Sequence, residues 1–469
     1  MSLILPDPFI EQMRRQLQEE ADAFFRSYQQ PRTHGLRFHM HKLSSTSPSL
    51  QKQLVELFDL TPVPWCSTGY YYPEQSRPGK HPLHAAGAYY IQEPSAMSAV
   101  ELLGPEPGDV ILDLAAAPGG KSTHIADKLQ GQGLLIANEI HPARAKILSE
   151  NIERMGIANA IVVCAAPQQL ADRFPRFFDK MMIDAPCSGE GMFRKDPNAI
   201  HEWSPSHVEM CAARQLDILR AAVTMLKPGG RLAYSTCTFN ELENEQTVAA
   251  LLTGFPNLRL LRTERIWPHR KQGEGHFVAV LAMEPDGEPS TGQDGCSEKA
   301  IRDKGAPAKS KRNAKPEQEA MRLFARLADT IGGAGFMAGL QHALGDGEPL
   351  LFGDQLYWLP SGPAGSLHPE LLRGLKVLRP GLHLAGIKKD RAEPSHALAL
   401  ALRGALAELP PRLALTAGLA ERYLRGETLE ADGAPNGWTL ATLAGLPLGW
   451  GKVSGGTFKN HYPKGLRWP

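Results

Sequence analysis

The stretch VILDLAAAPGGKSTHIADKL (residues 110–129) is typical of a strand, a turn of small residues and a helix. The alanines and glycines of the turn let the backbone approach a ligand closely, and the N-terminus of the helix adds aligned N–H groups. The turn matches neither G-x-G-x-x-G nor G-x-x-x-x-G-K-S/T, which disfavours a dinucleotide site and a P-loop. It therefore predicts a ligand-binding turn of another kind.

Apolar runs of strand length alternate with helix-length segments throughout residues 91–283. The strand candidates are VILDLA (110–115), LLIANE (134–139), AIVVCA (160–165), KMMIDA (180–185), RLAYST (231–236) and HFVAVLAM (276–283). This alternation predicts an α/β domain with a parallel sheet, whose ligands bind at the carboxyl ends of the strands. Glu139 ends the second strand, where an acid can accept hydrogen bonds from ribose hydroxyls; the alternative is a solvated strand-end charge.

The rest of the chain divides by composition, as expected for 469 residues, a length beyond one ordinary core. Residues 1–90 mix an amphipathic helix pattern with short strand-like pieces and predict an α+β region. Residues 284–317 are rich in Gly, Pro, Ser and Lys and predict a flexible basic linker. Residues 318–469 resume globular character with many short elements.

The N-terminal sequence, the longest apolar runs and the overall charge indicate which class of protein this is. The sequence shows no secretory signal and no run of about 18 apolar residues, so we expect a cytoplasmic protein without a membrane partner. The net charge is +1, but basic residues concentrate in the linker and in the final stretch GKVSGGTFKNHYPKGLRWP (451–469), which contains no acid.

The cysteines show neither a zinc-binding pattern nor a disulfide framework, and we expect no metal. A cysteine is by default a small buried apolar residue, which fits Cys164 and Cys211. Cys187, in MMIDAPCSGEGMFRKDP, and Cys237, in RLAYSTCTFNELENE, instead lie in turns just beyond strand ends. Asp184 lies at the end of the strand that leads into the Cys187 turn. We therefore expect both thiols and Asp184 at one edge of the sheet.

These motifs resemble a known family. EPSAM, LDLAAAPGGKS, DAPCSGEG, YSTCTFNELENE and GEGHFVA look like successive signatures of the Nol/Nop/Sun family of RNA 5-methylcytidine methyltransferases. The ending LGWGKVSGGTFKNHYPKGLRW is similar to its bacterial branch that acts on small-subunit (16S) rRNA. The resemblance implies a Rossmann-like class I methyltransferase domain over 91–283, an RNA-binding N-terminal region over 1–90 and a PUA-like RNA-binding module within 318–469. It implies S-adenosylmethionine as cofactor and RNA, 16S rRNA or the small ribosomal subunit, as partner; we expect a monomer.

The resemblance also assigns roles to residues. Those implied to enclose the methionine part of the cofactor are Ala115, Ala116, Ala117, Pro118, Gly119, Gly120 and Lys121. Glu139 would hold the ribose, Asp184 would lie by cofactor and base, Cys237 would be the nucleophile and Cys187 the thiol that assists product release. The chain departs from the family after the third strand, where Ala165, Ala166 and Pro167 replace the usual acid or amide near the adenine. The adenine contact then falls to backbone or to Gln168.

The proposed chemistry suits these groups. A thiolate that adds to C6 of cytosine makes C5 nucleophilic enough to take a methyl group, and Asp184 is the nearest named acid for N3. Release then needs a second acid or base, for which Cys187 is the candidate. The target cytosine must lie outside a base stack, and the basic linker and tail can hold phosphates. For the linker, a solvated run of charge is the favoured interpretation.

Alternatives remain at this point. A DNA cytosine-C5 methyltransferase would use Cys187 as nucleophile, and a catalytically silent rRNA-binding assembly factor would need neither thiol. The aromatic tail residues Phe458, Tyr462 and Trp468 stack on bases or, alternatively, pack inside their own module.

Overall fold

The computed structural model describes residues 4–47, 49–196, 198–285 and 315–469. Most of the predicted basic linker, including its cations between 299 and 312, lies outside the described residues. Its last three residues, 315–317, are helical, because the first helix of the C-terminal part begins at Lys315.

The N-terminal region is α+β, as predicted. Its elements are α1 Asp7–Leu17, α2 Ala21–Ser27, β1 Gly35–Phe38, α3 Met40–Leu43, α4 Ser49–Leu57, β2 Thr61–Pro62, β3 Gly69–Tyr71, α5 Pro82–Ala85 and β4 Tyr89–Ile91. The strands form an antiparallel sheet in the order β2-β3-β1-β4. Phe9 of α1 and Phe24 of α2 are fully buried against Phe193, Phe239 and Trp267 of the next domain. Aromatic packing therefore joins this region to the central domain.

The central domain contains the predicted α/β sheet. Its elements are α6 Pro94–Leu103, β5 Val110–Asp113, α7 Gly120–Leu129, β6 Leu134–Asn138, α8 Pro142–Arg154, β7 Ala160–Cys164, α9 Pro167–Ala171, β8 Phe178–Asp184, α10 Asn198–Glu202, α11 Pro205–Met225, β9 Leu226–Thr236, α12 Thr247–Gly254, β10 Leu258–Ile266 and β11 His276–Met283. The sheet order is β10-β11-β9-β8-β5-β6-β7, followed by one further strand from the C-terminal part. β9, β8, β5, β6 and β7 are parallel, and β11 and β10 are antiparallel additions.

All six predicted strands are confirmed, but two strands of this sheet were not predicted. β10 is an edge strand whose side chains are mostly exposed, so it carries no apolar run. The other, Lys376–Arg379, pairs with β7 from more than two hundred positions away. Such a long-range pairing leaves no local pattern in the sequence.

The C-terminal part forms two smaller sheets. Its elements are α13 Lys315–Gly332, α14 Ala334–Leu344, β12 Gly347–Phe352, β13 Gln355–Pro360, β14 Lys376–Arg379, β15 Leu382–Lys388, β16 Arg391–Pro394, α15 His396–Ala401, α16 Gly404–Glu408, β17 Arg412–Leu415, α17 Ala417–Leu424, β18 Leu429–Glu430, β19 Gly437–Leu443, β20 Leu446–Ser454 and β21 Thr457–Asn460. The sheet orders are β12-β13-β15-β16 and β17-β19-β20-β21-β18. Leu350 and Leu359 belong to the core of the central sheet, whereas Leu448 and Phe458 share a core with the N-terminal region. The C-terminal part is therefore packed into the rest of the chain.

The strand order positions the site. The parallel strands β5, β6, β8 and β9 end at one edge of the sheet, where Asp113, Glu139, Asp184 and Cys237 lie at or just beyond their ends. Within the described ranges, no helix has the length and apolar character needed to cross a membrane.

Candidate active site

Two cysteine thiols lie against each other at the carboxyl edge of the central sheet. Cys187 follows β8 and Cys237 follows β9, and these strands end in register, with Asp184 opposite Ser235. The two sulfur atoms are 3.3 Å apart, and both side chains are half-buried. The hydrogen bond to Cys237, then burial and the charge of Cys237, raise the pKa of Cys187 well above its usual value. Cys187 therefore holds its proton more tightly than an ordinary cysteine does.

Backbone and hydroxyl contacts hold the loop that carries Cys187 against the loop that carries Cys237; these are the thiol loops. The Gly191 N–H donates to the carbonyl oxygen of Cys237 at 2.8 Å, and the hydroxyls of Ser188 and Thr238 lie 2.9 Å apart. A Cβ atom at position 191 would lie 2.8 Å from the same Cys237 oxygen and 3.0 Å from the carbonyl oxygen of Gly275. Only glycine permits this approach, so Gly191 helps to position the loop that carries Cys237.

A buried glutamate supports the Cys187 loop. Glu243 lies in a short π-helix, Leu242–Gln246, and its Oε1 accepts hydrogen bonds from the Ser188 N–H at 2.8 Å and from Gln215 Nε2 at 3.0 Å. Gln215 also donates to the Pro186 carbonyl at 2.9 Å. Burial raises the pKa of Glu243. These contacts hold the loop on both sides of Cys187.

A second buried glutamate, Glu190, supports the Cys237 loop. Its Oε1 accepts from Gln12 Nε2 and Trp203 Nε1, each at 3.1 Å, and its Oε2 accepts from the Phe239 N–H at 3.0 Å. Burial raises the pKa of Glu190 as well. Sequence reasoning assigned no role to Glu190 or Glu243. The one signal in the sequence was that each of the motifs DAPCSGEG and NELENE contains an acid. Their hydrogen-bond partners come from distant positions, so no local sequence pattern shows that these acids are buried and bonded.

Asp184 forms a charged pair with a residue of the small-residue turn. Its Oδ2 lies 2.8 Å from Lys121 Nζ, its Oδ1 accepts from Ser235 Oγ at 2.8 Å, and His276 Nε2 lies 3.9 Å away. Burial raises the pKa of Asp184, but Lys121 and the other partners outweigh it and lower that pKa below its usual value. Asp184 is therefore a carboxylate at neutral pH, which disfavours it as the acid that protonates N3. Lys121 supplies the proton-bearing group of the pair.

The small-residue turn has the conformation expected of a ligand-binding turn. Ala116 and Ala117 are buried, and Gly119 has a φ of +116°, in the region that favours glycine. Asp113, the last residue of β5, accepts a hydrogen bond from Ser122 Oγ at 2.6 Å through Oδ2, whereas its buried Oδ1 has no partner among the described residues. Burial raises the pKa of Asp113 to about 7. This orphaned oxygen suits a ligand that brings an N–H or ammonium group, and sequence reasoning missed it.

Glu139 is connected to the same turn. It is buried, and its carboxylate accepts from the His141 N–H at 3.0 Å and lies 3.5 Å from Arg144 Nη2. Arg144 also donates to the Ala117 carbonyl at 2.8 Å. The acid predicted to hold a ribose therefore lies beside the predicted cofactor turn, and its role stays a prediction.

The stretch predicted to lie near the adenine, residues 165–167, is hydrogen-bonded to the neighbouring strand end. The Asn138 amide accepts from the Ala165 N–H at 3.0 Å and donates to the carbonyls of Leu114 and Ala165 at 3.0 and 3.1 Å. Both backbone groups of Ala165 are therefore engaged, whereas Gln168 is exposed at the start of α9. The Gln168 side chain has no hydrogen-bond partner among the described residues, and both predicted adenine contacts, the backbone of 165–167 and Gln168, stay predictions.

The aromatic residues of the tail pack inside the C-terminal module. Phe458 and Tyr462 are buried, and Trp468 packs against the same core as a partly buried residue. Of the two alternatives for these residues, packing inside the module holds for Phe458 and Tyr462, whose rings are part of its core.

The solvent face of the module carries a different aromatic residue with two lysines. Lys452 and Lys459, both exposed, lie directly opposite each other on β20 and β21. Trp438 is the partner of Lys452 on β19, and the Lys452 Nζ lies 5.9 Å from its ring centroid. Like charges placed opposite each other destabilise a sheet, so this pair is better explained by an anionic partner.

Family models match the chain in consecutive stretches. They describe the N-terminal domain of 16S rRNA methyltransferase RsmF (residues 5–94), 16S rRNA methyltransferase RsmB/F (100–282), the first C-terminal domain of RsmF rRNA methyltransferase (335–402) and the methyltransferase RsmF PUA domain (410–468). The PUA match confirms the predicted C-terminal module.

Curated relatives match nearly end to end. Ribosomal RNA small subunit methyltransferase F of Aliivibrio fischeri (strain MJ11) is 32% identical over 491 residues, which cover 99% of this chain and 98% of that protein. The protein of the same name from Cronobacter sakazakii (strain ATCC BAA-894) is 32% identical, with 99% of this chain and 97% of that protein covered.

Two solved structures match about three fifths of this chain. A methyltransferase homologue protein from Pyrococcus horikoshii is 25% identical, with a TM-score of 0.50, and covers 59% of this chain and 100% of its own. NSun6 from Pyrococcus horikoshii, solved with SFG, has a TM-score of 0.54 over 61% of this chain and 100% of its own. At 22% identity, that second likeness shows the fold alone.

Proposed function

This chain belongs to the ribosomal RNA small subunit methyltransferase F family, and from that premise we propose that it transfers a methyl group from S-adenosylmethionine to C5 of a cytosine in 16S rRNA. The observation that carries the proposal is the 3.3 Å contact between the sulfur atoms of Cys187 and Cys237. A methyltransferase that acts on an oxygen or an exocyclic nitrogen needs no thiol pair, whereas C5 methylation needs one thiol to activate the ring and benefits from a second to restore it. We further expect the protein to act as a monomer in the cytoplasm.

Cys237 begins the reaction as nucleophile. A thiol has a pKa of about 8.5, so a neighbouring donor that favours the thiolate increases its reactive fraction. The Cys187 hydrogen bond is such a donor. The bond from Cys237 Sγ to cytosine C6 moves the ring electrons toward N3 and makes C5 an enamine-like carbon.

Lys121 and Asp184 stabilise the charge that develops on the ring. The carboxylate of Asp184 accepts a hydrogen bond from the exocyclic amino group, and the ammonium group of Lys121, 2.8 Å from that carboxylate, is the proton donor toward the N3 side. This division of roles follows from the lowered pKa of Asp184. Preorganised charges of this kind act strongly in a site that excludes water.

S-adenosylmethionine supplies the methyl group when it is bound. The residues proposed to hold it are the turn from Ala115 to Lys121, with Glu139 at the ribose, and the orphaned Asp113 oxygen adds an acceptor. Neither Cys187 nor Cys237 belongs to this set, whereas Lys121 takes part both in holding the cofactor and in stabilising the charge on the ring.

Cys187 completes the reaction as the base that removes the C5 proton. While Cys237 is free, its hydrogen bond and its charge raise the pKa of Cys187. Once Cys237 is bonded to C6, that charge is gone and the pKa of Cys187 falls. Cys187 can then lose its own proton to solvent and, as a thiolate, take the C5 proton. The electrons of the C5–H bond re-form the C5–C6 double bond, the Cys237 sulfur leaves as a thiolate, and N3 returns its proton to Lys121.

A methyl-transfer assay with labelled S-adenosylmethionine tests the proposal. We expect label in 16S rRNA as 5-methylcytidine, none in duplex DNA of matched sequence, and none with Cys237→Ala. Label in DNA that depends on Cys187 would instead support a DNA methyltransferase. RNA binding without label transfer, on free rRNA and on small subunits, would support the assembly factor.

A further inference from the structure

A cavity with a volume of about 330 Å³ lies where the N-terminal region, the central domain and the C-terminal tail meet. It is bordered by α5, the second half of α8, β14 and residues 462–468 of the tail. This volume is within the range of small-molecule sites. The side chains that line it include Ile147, Asn151, Arg154, Arg379, Tyr462 and Trp468.

This junction cavity is separate from the thiol site. The helix α8 joins β6 to β7, and in the order β9-β8-β5-β6-β7 the strand β7 lies four places from β9, which leads to Cys237. Strands are spaced by about 4.8 Å, so these two strands are about 19 Å apart. A ligand in the junction cavity is therefore not the base that Cys237 attacks.

Arg154 presents a guanidinium without a counter-charge to the cavity. Its Nη1 donates to the carbonyl oxygens of His84 at 3.0 Å and Tyr89 at 3.4 Å, and its Nη2 donates to Asn151 Oδ1 at 3.0 Å. Among the described residues, Arg154 has no carboxylate partner and its Nε forms no hydrogen bond. Burial lowers the pKa of Arg154. Nε and the second hydrogen of Nη2 form the edge of the guanidinium that binds two oxygens of one phosphate.

The carboxylates that line the cavity are engaged with other cations. Glu153 is shared by Arg379 and His396, and Glu150 is exposed and lies 3.9 Å from Lys146. The Nη1 atom of Arg379 is buried and has no hydrogen-bond partner within the described ranges. Since neither carboxylate neutralises the guanidinium on α8, the cavity suits an anionic ligand.

The tail gives the cavity an aromatic wall. Tyr462 is 6% exposed, and its ring centroid lies 5.2 Å from that of His396 and 5.5 Å from that of Tyr423. The hydrogen bonds of Tyr462 and Trp468 involve their backbones alone, so in the described part of the chain neither the Tyr462 hydroxyl nor the Trp468 indole N–H has a partner. Trp468 is partly exposed, and Ile147, 47% exposed, adds an apolar rim. An aromatic wall beside a guanidinium is typical of sites that hold a nucleobase and its phosphate.

We propose that the junction cavity binds one nucleotide, with its phosphate on Arg154 and its base against Trp468. The free edge of the guanidinium donates to two phosphate oxygens, and the Tyr462 hydroxyl supplies one further hydrogen bond. The nucleotide is either a residue of a bound RNA strand, a source that rests on the proposed function, or a free nucleotide.

Binding of free nucleotides to the full chain tests the site without a methylation assay. Each of the four nucleoside 5′-monophosphates is titrated by calorimetry, with S-adenosylhomocysteine present to fill the cofactor site. We expect saturable binding of at least one of them. The matching nucleoside, which lacks the phosphate, should bind about tenfold more weakly, because it loses the charge-assisted hydrogen bonds to Arg154.

Two variants change the tail and leave Arg154 in place. Tyr462→Phe removes a hydroxyl that bonds no described residue, so it should leave the unfolding midpoint unchanged and weaken nucleotide binding by about threefold to tenfold. Trp468→Leu should weaken binding by about fivefold or more, because the base loses its stacking partner. Tyr72→Phe removes a hydroxyl of the N-terminal region that likewise bonds no described residue, and this matched control should bind nucleotides as wild type does.

RNA binding distinguishes the two sources. If the nucleotide belongs to RNA, Tyr462→Phe and Trp468→Leu should both weaken binding of 16S rRNA. Weaker nucleotide binding with unchanged RNA binding would instead assign the cavity to a free nucleotide. Either result supports the site, and neither depends on catalytic turnover, so failure of methyl transfer would contradict the proposed function alone. Unchanged RNA binding in both variants, together with unchanged or absent nucleotide binding, would overturn the proposal.

Discussion

Cys187 and Cys237 are separated by 50 positions in the sequence, yet their sulfur atoms lie 3.3 Å apart, and this contact raises the pKa of Cys187. The two thiols are therefore unequal before any substrate binds. This inequality is the reason that we propose attack by Cys237 and release by Cys187.

Single substitutions of the two thiols should have opposite effects on a covalent adduct. Cys187→Ala incubated with S-adenosylmethionine and 16S rRNA should accumulate a protein–RNA adduct that survives denaturing gels, because attack proceeds and release does not. Cys237→Ala and the double variant should form none. An adduct in Cys237→Ala but not in Cys187→Ala would reverse the two roles.

Gly191→Ala should slow methylation without affecting the cofactor. Its Cβ atom would meet the carbonyl oxygen of Cys237 at 2.8 Å, so the nucleophile loop must move. A displacement near 1 Å at a reacting group costs about a hundredfold in rate. We expect kcat to fall by about that factor while S-adenosylmethionine affinity, measured by calorimetry, stays within about twofold of wild type. Gly254→Ala, where a Cβ atom meets nothing within 4 Å, is the control, and equal rates in both variants would contradict the positioning role.

The parts of the site that were predictable are those that follow from strand ends. Asp184, Cys187 and Cys237 were expected together because parallel strands β8 and β9 end at the same edge, and the apolar runs of both strands are visible in the sequence. The Lys121–Asp184 pair and the buried Glu243 were not predicted, because each depends on a contact between distant segments. For the same physical reason β14 was missed.

The integrated C-terminal part also changes how RNA binding should be tested. From the sequence alone, the simplest test would be to remove residues 318–469. That truncation would take β14 away from the central sheet and expose the part of its core that Leu350 and Leu359 cover. Loss of RNA binding in such a truncation would then report unfolding. Substitutions on the surface of the PUA module avoid this ambiguity.

The exposed lysine pair of the PUA module should contribute to RNA affinity through charge. Lys452→Gln combined with Lys459→Gln should weaken 16S rRNA binding and lower its salt slope by about 1.4, as expected for two single-strand phosphate contacts. Lys52→Gln combined with Lys146→Gln removes two exposed charges elsewhere and should leave the slope unchanged. An unchanged slope in the first variant would show that this face does not contact RNA.

The junction between α8 and the C-terminal part should depend on one carboxylate. Glu153 forms a hydrogen-bonded ion pair with Arg379 of β14 and accepts a hydrogen bond from His396 Nδ1 at 3.1 Å. The other ring nitrogen of His396, Nε2, lies 3.1 Å from the Leu448 carbonyl oxygen. Glu153→Gln leaves the Arg379 guanidinium, 6% exposed, without a counter-charge, which should cost about 3 kcal/mol. Glu150→Gln on the same helix removes an exposed pair with Lys146 and should cost less than about 0.5 kcal/mol.

The stability difference between wild type and Glu153→Gln should depend on pH, and this dependence is the sharper measurement. Burial would raise the pKa of Glu153, but His396 and Arg379 lower it to about 2, below the unfolded value of about 4.3. A depressed carboxylate pKa stabilises the fold above the unfolded pKa, and this stabilisation is lost as pH falls toward the folded pKa. The difference in unfolding midpoint between wild type and Glu153→Gln should therefore be constant from pH 7 to about 5 and shrink below that. A difference that stays constant down to pH 3 would mean that the ionised carboxylate does not hold this junction together.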